Sequence, residues 1–241
     1  MVGSDTSRWA DILSADRPRR PSDEALRNKI GARQADRRAQ ILSASRTLFA
    51  EGGSDFLTLR RIAARSGSTV PTIYSIVGGR DAVVEQALLE HLDTCVNTAP
   101  LVAESLGLNV ISGFSETLWI SAQLQPAYVR RQVLLTRREP EGRRLGALFV
   151  HATTRVLCGW VSDLCGRSRL AKRIGHEAVA AAIEAQLRTT LLDWAEGYDS
   201  APTMRRKLAL APSICLSRFI EEQEMVRLVG WLGSLSDGPL R

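Results

Sequence analysis

The sequence predicts an all-α protein with an N-terminal three-helix helix-turn-helix domain and a larger C-terminal helical bundle. Apolar residues recur at helical spacing along most of the chain, and no stretch of any length alternates apolar and polar residues. Two short helical segments that meet at a glycine lie between longer predicted helices. Hydrophobic residues make up 44% of the chain and charged residues 24%, as in an ordinary globular protein.

The chain divides into three predicted segments. Residues 1–34 hold few apolar residues and contain the run RPRRP, so we expect a flexible basic arm, with a short helix near Asp23–Ile30 as one option. Such an arm is either disordered or able to lie along phosphates or in a minor groove. Residues 35–80 form the predicted helix-turn-helix domain, and residues 81–241 form the larger helical domain.

The first predicted helix begins at Ala35 and ends at the glycine pair of residues 52–53, which can cap its C-terminus. Thr58 is an N-cap candidate for a second helix over Leu59–Arg65. Thr69 can cap a third helix over Val70–Ile76 in the same way. A turn at Gly67 would join these two short helices.

The rest of the chain is predicted to be helical. A helix from about Arg80 to Asn97 is followed by helices near 103–123, 127–138, 141–167, 174–196 and 203–233. We expect Pro212 to kink or split the last of these, because proline removes a helical hydrogen bond and clashes with the preceding turn.

The third helix has the properties of a DNA recognition helix. Its outward positions carry residues too small to hold it away from base edges, namely Val70, Pro71, Thr72 and Ser75. Groups that can donate to phosphate oxygens surround it, namely Thr58, Thr69, Tyr74 and Arg80. A helix of this kind can lie in a major groove while its neighbours hold the backbone. The sequence therefore predicts double-stranded DNA as a partner.

Positive charge is concentrated in the same part of the chain. Residues 1–80 hold 14 Lys or Arg and 8 Asp or Glu, whereas residues 81–241 hold 18 of each. A basic head on a neutral body is typical of a phosphate-binding domain joined to a domain with another role. A solvated basic face without a partner is the alternative.

Residues 37–85 resemble the DNA-binding domain of the tetracycline-repressor (TetR) family of bacterial transcription regulators. The matching segments are RRAQILSASRTLFAEGG, TLRRIAARSGSTVPTIY and GGRDAVV. The resemblance implies an all-helical homodimer that binds a palindromic operator. It also implies a body that binds a small-molecule effector or forms the dimer, so we expect a repressor that an effector releases or tunes.

The resemblance also implies residue roles. Phosphate contacts would be made by Thr58, Thr69, Tyr74 and Arg80. Base contacts would be made by Val70, Pro71 and Ser75. Ile76 and Val77 depart from the family pattern of a His or Tyr followed by Phe, and Ile76 cannot donate to phosphate. Ser68 also departs from the pattern, since the family often has Val there. A TetR-fold protein with weakened DNA binding, acting through protein–protein contacts, is therefore the alternative.

The middle helices carry candidates for an effector pocket, namely Trp119, Tyr128, Phe149, His151 and Trp160. Each of them could instead be an ordinary core residue. The helices predicted at 174–196 and 203–233 stand where relatives build a dimer interface. The alanine-rich run HEAVAAAIEAQL would allow close helix approach there, and an ordinary core helix is the alternative.

Other classes of function lack sequence support. We find no paired catalytic carboxylates, nucleophile elbow or phosphate-binding glycine loop, so we expect no enzyme and no cofactor. His91 and Cys95 have metal-pair spacing without a third ligand, so we expect no metal.

The four cysteines are interpreted as buried apolar residues, with a Cys158–Cys165 redox pair as the alternative. No apolar run of roughly 20 residues or signal-peptide core is present, so we expect a cytoplasmic protein without a membrane partner.

Overall fold

The computed structural model describes residues 23–135, 137 and 141–235. Within these residues the chain forms helices and no strand, which confirms the all-α prediction. Two compact units are present, Met1–Ala39 and Gln40–Arg241. The described part of the first unit is helical, whereas residues 1–22 of the predicted arm lie outside the described residues.

The N-terminal helices are α1 (Asp23–Gly52), α2 (Leu59–Ser66) and α3 (Val70–Ile76), and a 3-10 turn (Gly53–Phe56) follows α1. From residue 40 onward these three helices are called the head. The first helix begins earlier than the predicted start at Ala35. Residues 31–40 are exposed, so they show no apolar periodicity. Several of them are nevertheless good helix formers, such as alanine, arginine and glutamine, and helix propensity extends the helix where no core-facing pattern marks it.

The two short helices have the predicted boundaries to within one residue, because local capping fixes their ends. The Thr58 hydroxyl accepts a hydrogen bond from the Arg61 amide at 3.3 Å. The Thr69 hydroxyl accepts one from the Thr72 amide at 3.3 Å. Gly67 ends α2 with φ of +62°, a left-handed conformation that glycine adopts without steric cost.

The remaining described helices form the body. They are α4 (Arg80–Leu106), α5 (Val110–Leu124), α6 (Pro126–Leu135), α7 (Glu141–Cys165), α8 (Arg169–Ile174), α9 (His176–Glu196), α10 (Ala201–Leu216) and α11 (Glu222–Ser234). The predicted helix over 203–233 is therefore two helices, and their break follows Leu216 rather than Pro212. At the break, the Ser217 hydroxyl donates to the Ile214 carbonyl at 2.9 Å, a local bond that competes with the helical pattern.

Helix α4 continues through Pro100, although the predicted helix stopped at Asn97. Close packing against α5 explains why tertiary structure outweighs the proline. Gly113 of α5 lies so near α4 that an added Cβ would be 2.5 Å from the Ala99 carbonyl oxygen and 2.6 Å from the Ala103 Cβ. The missing side chain lets the two backbones meet, and the packing of this crossing offsets the helical hydrogen bond that α4 loses at Pro100.

One hydrophobic core runs from the head into the body. In the head, Ile41, Ile62 and Ile73 are fully buried and belong to the same core cluster as Val83 and Val84 in the first turns of α4. The same cluster continues through α4 to Phe114 of α5 and Leu157 of α7. The three-helix head is therefore packed onto the body rather than connected to it by a linker.

A buried aromatic and polar cluster lies where the head meets the body. Tyr128 of α6 is 2% exposed and contacts the ring of Phe49 of α1 edge-on, with centroids 5.6 Å apart. It contacts the His91 ring at 4.9 Å and donates a hydrogen bond to the Ala87 carbonyl at 3.4 Å. His91 Nε2 lies 3.1 Å from the Ser121 hydroxyl oxygen.

The crossing of α4 and α5 makes a stability prediction. Replacing Gly113 by alanine should lower the free energy of unfolding by about 1–3 kcal/mol, because the added methyl group overpacks a backbone contact. Gly159→Ala is the matched control, since Gly159 lies on an exposed face of α7 with nothing within 4 Å. That control should gain about 0.5–1 kcal/mol. Urea unfolding of both variants measures the difference, and equal stabilisation would contradict it.

His91 makes a prediction for pH. Burial, followed by the positive charge of Arg46, lowers the pKa of His91 to about 4 from an ordinary value of 6.5. The folded state therefore binds fewer protons than the unfolded state between these values. Stability attributable to His91 should be present above pH 6.5 and be lost as the pH falls toward 4, by on the order of 3 kcal/mol.

The variant His91→Gln should remove that part of the pH dependence while it keeps a polar partner for Ser121. His151→Gln changes an exposed histidine on α7 and is the control. Urea unfolding at a series of pH values between 4 and 7 gives the comparison. The same loss of stability in wild type and His91→Gln would show that the histidine does not cause it.

Candidate nucleic-acid interface

Helix α3 has an inward side that holds it in place and an outward side that is open. Ile73 is fully buried. Tyr74 is 58% exposed, and Pro71 and Ser75 are also exposed. Val70, predicted to face bases, is half-buried and packs against the core. The outward face therefore consists mainly of three of the predicted side chains.

The two capping threonines lie exposed at the starts of α2 and α3. Thr58 and Thr69 each accept an amide hydrogen bond, as described above. The hydroxyl oxygens of Thr69 and Thr72 are also 2.8 Å apart. A threonine hydroxyl can accept one hydrogen bond and donate another. Thr58 can thus cap its helix and still donate to an external oxygen such as that of a phosphate.

Arg80 links parts of the head. Its Nε donates to the Leu57 carbonyl at 2.8 Å, and its Nη2 donates to the Ser54 carbonyl at 2.8 Å. Its Nη1 lies 3.4 Å from the Asp81 carboxylate. The guanidinium therefore fixes the turn between α1 and α2 against the start of α4. The predicted phosphate contact of Arg80 stays a prediction that competes with these bonds.

Two further cations of α2 are exposed, and sequence reasoning missed them. Arg60 is exposed, and Arg61 is exposed with its guanidinium 4.3 Å from the Phe56 ring centroid. Arg65, by contrast, is paired with Glu51 at 2.8 Å. The signal was in the sequence, because the inward residues of this helix leave positions 60 and 61 facing outward.

The residues that depart from the family pattern contribute to packing. Val77 is 8% exposed and belongs to the core, and the half-buried Ile76 packs against it. The Ser68 hydroxyl is buried and has no hydrogen-bond partner among the described residues. None of the three side chains offers a polar group on the outward face of α3.

The body contains an apolar cleft formed by α4, α5, α6, α7 and α9, with a cavity volume of about 70 Å³. Its lining is mainly aliphatic and aromatic, and includes Leu88, Leu92, Phe114, Leu118, Phe149, Leu187 and Leu191. Four side chains with polar groups also line it, namely Gln132, Thr153, Glu184 and Arg188.

The predicted effector residues are not gathered in one place. Phe149 lines the cleft. Trp160 contacts the lining residue Phe114 edge-on, with ring centroids 5.5 Å apart. Tyr128 belongs to the buried cluster at the head, and His151 is exposed on α7. Helical spacing alone did not reveal which aromatic side chains face a shared space.

Trp119, the fifth predicted effector residue, lies in a different polar cluster. The Arg205 guanidinium lies 4.1 Å from its ring centroid and pairs with the buried Glu116 carboxylate. The Arg205 Nε–Glu116 Oε2 distance is 3.1 Å. The indole N–H of Trp119 is buried without a partner among the described residues.

Sequence reasoning also missed the ion pair of the cleft. Glu184 is 5% exposed, and its Oε1 accepts a hydrogen bond from Arg188 Nε at 3.0 Å. Burial raises the pKa of Glu184, whereas the positive charge of Arg188 acts to lower it. A signal was present, because Glu184 lies three residues before Leu187 and four after Ala180, on the buried face of α9.

Two adjacent arginines of α6 contact the ends of helices on either side. Arg131 donates from Nε to the Ala50 carbonyl and from Nη2 to the Glu51 carbonyl, each at 3.0 Å. Arg130 donates to the Trp194 carbonyl at 2.9 Å and lies 4.2 Å from the centroid of that indole ring. One short helix thus contacts the C-terminal ends of both α1 and α9.

Other candidate sites gave the following observations. The four cysteines are free, and burial raises the pKa of Cys95 to about 11. His91 Nε2 and Cys95 Sγ are 3.9 Å apart. Among the described residues, no group of three His, Cys, Asp or Glu side chains could hold a metal ion. In the same part of the chain, no helix is both long enough and apolar enough to span a bilayer.

Comparison with known proteins bears on the head and on the fold. Residues 41–87 match the family model for bacterial regulatory proteins of the tetR family. None of the curated proteins matches the sequence significantly. The fold is similar to the crystal structure of a proposed TetR-family transcriptional regulator from Rhodococcus sp., at 18% identity and a TM-score of 0.59. That similarity covers 75% of this chain and 98% of the other.

A second similar crystal structure is that of a proposed TetR-family transcriptional regulator from Mesorhizobium loti MAFF303099. Its identity is 14%, its TM-score is 0.50, and the match covers 77% of this chain and 97% of the other. At such identities these similarities concern the fold. Together with the family match over residues 41–87, they confirm the resemblance drawn from the sequence: the head contains the segment that the tetR family model describes, and the chain has an all-α fold similar to that of proposed TetR-family regulators.

Proposed function

We propose that the protein is a DNA-binding transcription regulator, a repressor, that inserts the outward face of α3 into a major groove. The observation that carries this proposal is the exposure of Pro71, Tyr74 and Ser75 on a capped helix anchored by the buried Ile73. This helix lies inside the segment that matches the tetR family. Pro71 and Ser75 would contact base edges, and the Tyr74 hydroxyl would donate to a phosphate.

Phosphate contacts from α2 would supply much of the affinity. Thr58 at the start of α2, together with the exposed Arg60 and Arg61, surrounds the N-terminal end of the helix with donors and positive charge. The helix dipole adds partial positive charge at the same end. Binding of this kind releases counterions, so affinity should fall steeply as the salt concentration rises.

The protein would bind DNA as a homodimer formed by α9 and α10. On α9, Ala178, Ala181 and Ala182 are exposed, and small side chains of this kind allow a second helix to approach closely. On the adjacent α10, Leu210 is 41% exposed and Ile214 is 68% exposed. A twofold axis through these helices would present two copies of α3 to a palindromic operator.

The cleft would hold the small-molecule effector, and α6 would connect it to the head. Gln132 and Val133 line the cleft, and they directly follow Arg131, which binds the end of α1. A ligand that shifts α6 would therefore change the position of α1 and with it the spacing of the two recognition helices. An effector alters DNA affinity only if it binds the DNA-competent arrangement of the protein and the other arrangement with different affinities.

The alternative function, a TetR-fold protein that acts through protein contacts, is supported by Ile76. At that position the family usually places a polar group that can bind phosphate, and here the side chain packs into the core. The loss of one anchor predicts lower affinity rather than none, because several other donors surround α3. A DNA titration separates the two functions.

The test is fluorescence-anisotropy titration of the full chain against labelled duplex DNA from immediately upstream of its own gene. We expect two chains per duplex and a negative slope of log affinity against log salt. Tyr74→Phe should weaken binding to every sequence roughly 2- to 10-fold, because one hydroxyl–phosphate hydrogen bond is lost.

Tyr198→Phe is the matched control, since Tyr198 is 78% exposed but lies between α9 and α10, far along the chain from α3. Its affinity for DNA should equal that of the wild type. If the two tyrosine variants weakened DNA binding equally, α3 would not be part of the surface that contacts DNA. Binding without any dependence on salt, or no binding at low salt, would favour the alternative function.

A further inference from the structure

The polar side chains of the cleft restrict the kind of molecule that it can bind. The lining is predominantly apolar, and the described polar groups come from Gln132, Thr153, Glu184 and Arg188. Glu184 is almost fully enclosed, with 6% of its side chain exposed, whereas 41% of the Arg188 side chain is exposed. Water can therefore hydrogen-bond to Arg188, whereas the Glu184 carboxylate depends on groups inside the cleft for its hydrogen bonds.

The Glu184 carboxylate has acceptor capacity left over. A carboxylate offers about four acceptor positions on two oxygens. Among the described residues, the hydrogen bond that Glu184 accepts comes from Arg188 to Oε1, at 3.0 Å. A buried carboxylate with one donor is incompletely compensated for its lost hydration. A ligand group that donates a hydrogen bond to Oε2 would replace a hydrogen bond that water makes to this carboxylate in the unfolded chain.

The ligand should carry no net charge. Glu184 and Arg188 already neutralise one another, so a cation near Oε2 would be repelled by the guanidinium at short range. An anion would be repelled by the carboxylate in the same way. Any net charge brought into this apolar lining would also lose hydration without a full counter-charge in return. A neutral donor avoids these costs and still gains a hydrogen bond to a charged acceptor.

The ligand should also be small. The cavity volume is about 70 Å³. A water molecule occupies roughly 10–15 Å³ measured in this way and about 30 Å³ of the liquid, so the cavity matches roughly five to seven water molecules, or roughly 150–210 Å³ of liquid. A single ring with a short substituent is of this size, and Phe114 and Phe149 offer aromatic surfaces for it.

We propose that the cleft binds a small, uncharged, largely apolar molecule that donates one hydrogen bond, from a hydroxyl or N–H group, to Oε2 of Glu184. Thr153 and Gln132 also line the cleft and offer further polar groups to such a ligand. The inference rests on the proposed function for the role of the cleft as an effector site. The binding itself is a property of the protein without DNA and can be measured separately.

The experiment is isothermal titration calorimetry of the full chain, without DNA, against four probes that share one ring. Benzyl alcohol carries the neutral donor, benzyl methyl ether lacks it, benzylamine is cationic and benzoate is anionic. We expect benzyl alcohol to bind about 10-fold tighter than its ether, as a hydrogen bond to a charged acceptor implies. The cationic and anionic probes should bind more weakly than the alcohol.

Glu184→Gln tests the assigned acceptor. It keeps the shape of the side chain but removes the charge, so the preference for the alcohol over the ether should fall to about 3-fold or less. Glu177→Gln is the control on the exposed side of the same helix, and it should keep the wild-type preference. The comparison of the four probes uses the wild-type chain and remains decisive if the Glu184 variant does not fold.

The proposal is overturned if benzylamine or benzoate binds as tightly as the alcohol, if no probe binds, or if Glu184→Gln keeps the full preference. Its failure can be told apart from failure of the proposed function, because the DNA titration is carried out without any probe. A chain that binds no DNA and still prefers benzyl alcohol refutes the proposed function alone. A chain that binds DNA without this preference refutes the ligand class alone.

Discussion

The head is linked to the candidate effector site by two adjacent arginines of α6, which bind the ends of two other helices. Every α-helix leaves four carbonyls without a partner at its C-terminus, where its dipole is negative. Arg131 donates to the Ala50 and Glu51 carbonyls of α1, and Arg130 donates to the Trp194 and Ala195 carbonyls at the end of α9. Since α6 also lines the cleft, the head and the candidate effector site contact one and the same ten-residue helix.

The second connection between head and body is α4. Its first turns bury Val83 and Val84 in the core that they share with the head, and its middle places Leu88 and Leu92 in the lining of the cleft. Arg80 at its start is bonded to the turn that follows α1. A packed interior transmits displacement because it has few voids to absorb it. Changes at the cleft and at α3 should therefore be linked without a flexible hinge between them.

The sequence predicted the features that depend on neighbouring residues and missed those that depend on residues far apart along the chain. The caps of α2 and α3 are local, so Thr58 and Thr69 could be assigned from neighbouring residues. Arg80 donates to carbonyls 23 and 26 residues earlier, and no local pattern contains that information. The cleft takes side chains from five helices, so choosing aromatic residues one helix at a time missed Glu184. Pro100 was overridden by the packing of α4 on α5, an energy that propensity does not include.

Hydrogen–deuterium exchange on the full chain, with and without duplex DNA from upstream of its gene, tests the connection through α6 most directly. DNA bound by α3 should also reduce local opening at the end of α1. Through Arg131 it should reduce opening of α6 as well. The account predicts slower exchange in Val70–Ile76 and in Pro126–Leu135, with Glu222–Ser234 unchanged. Protection of α3 with unaltered exchange in α6 would contradict it.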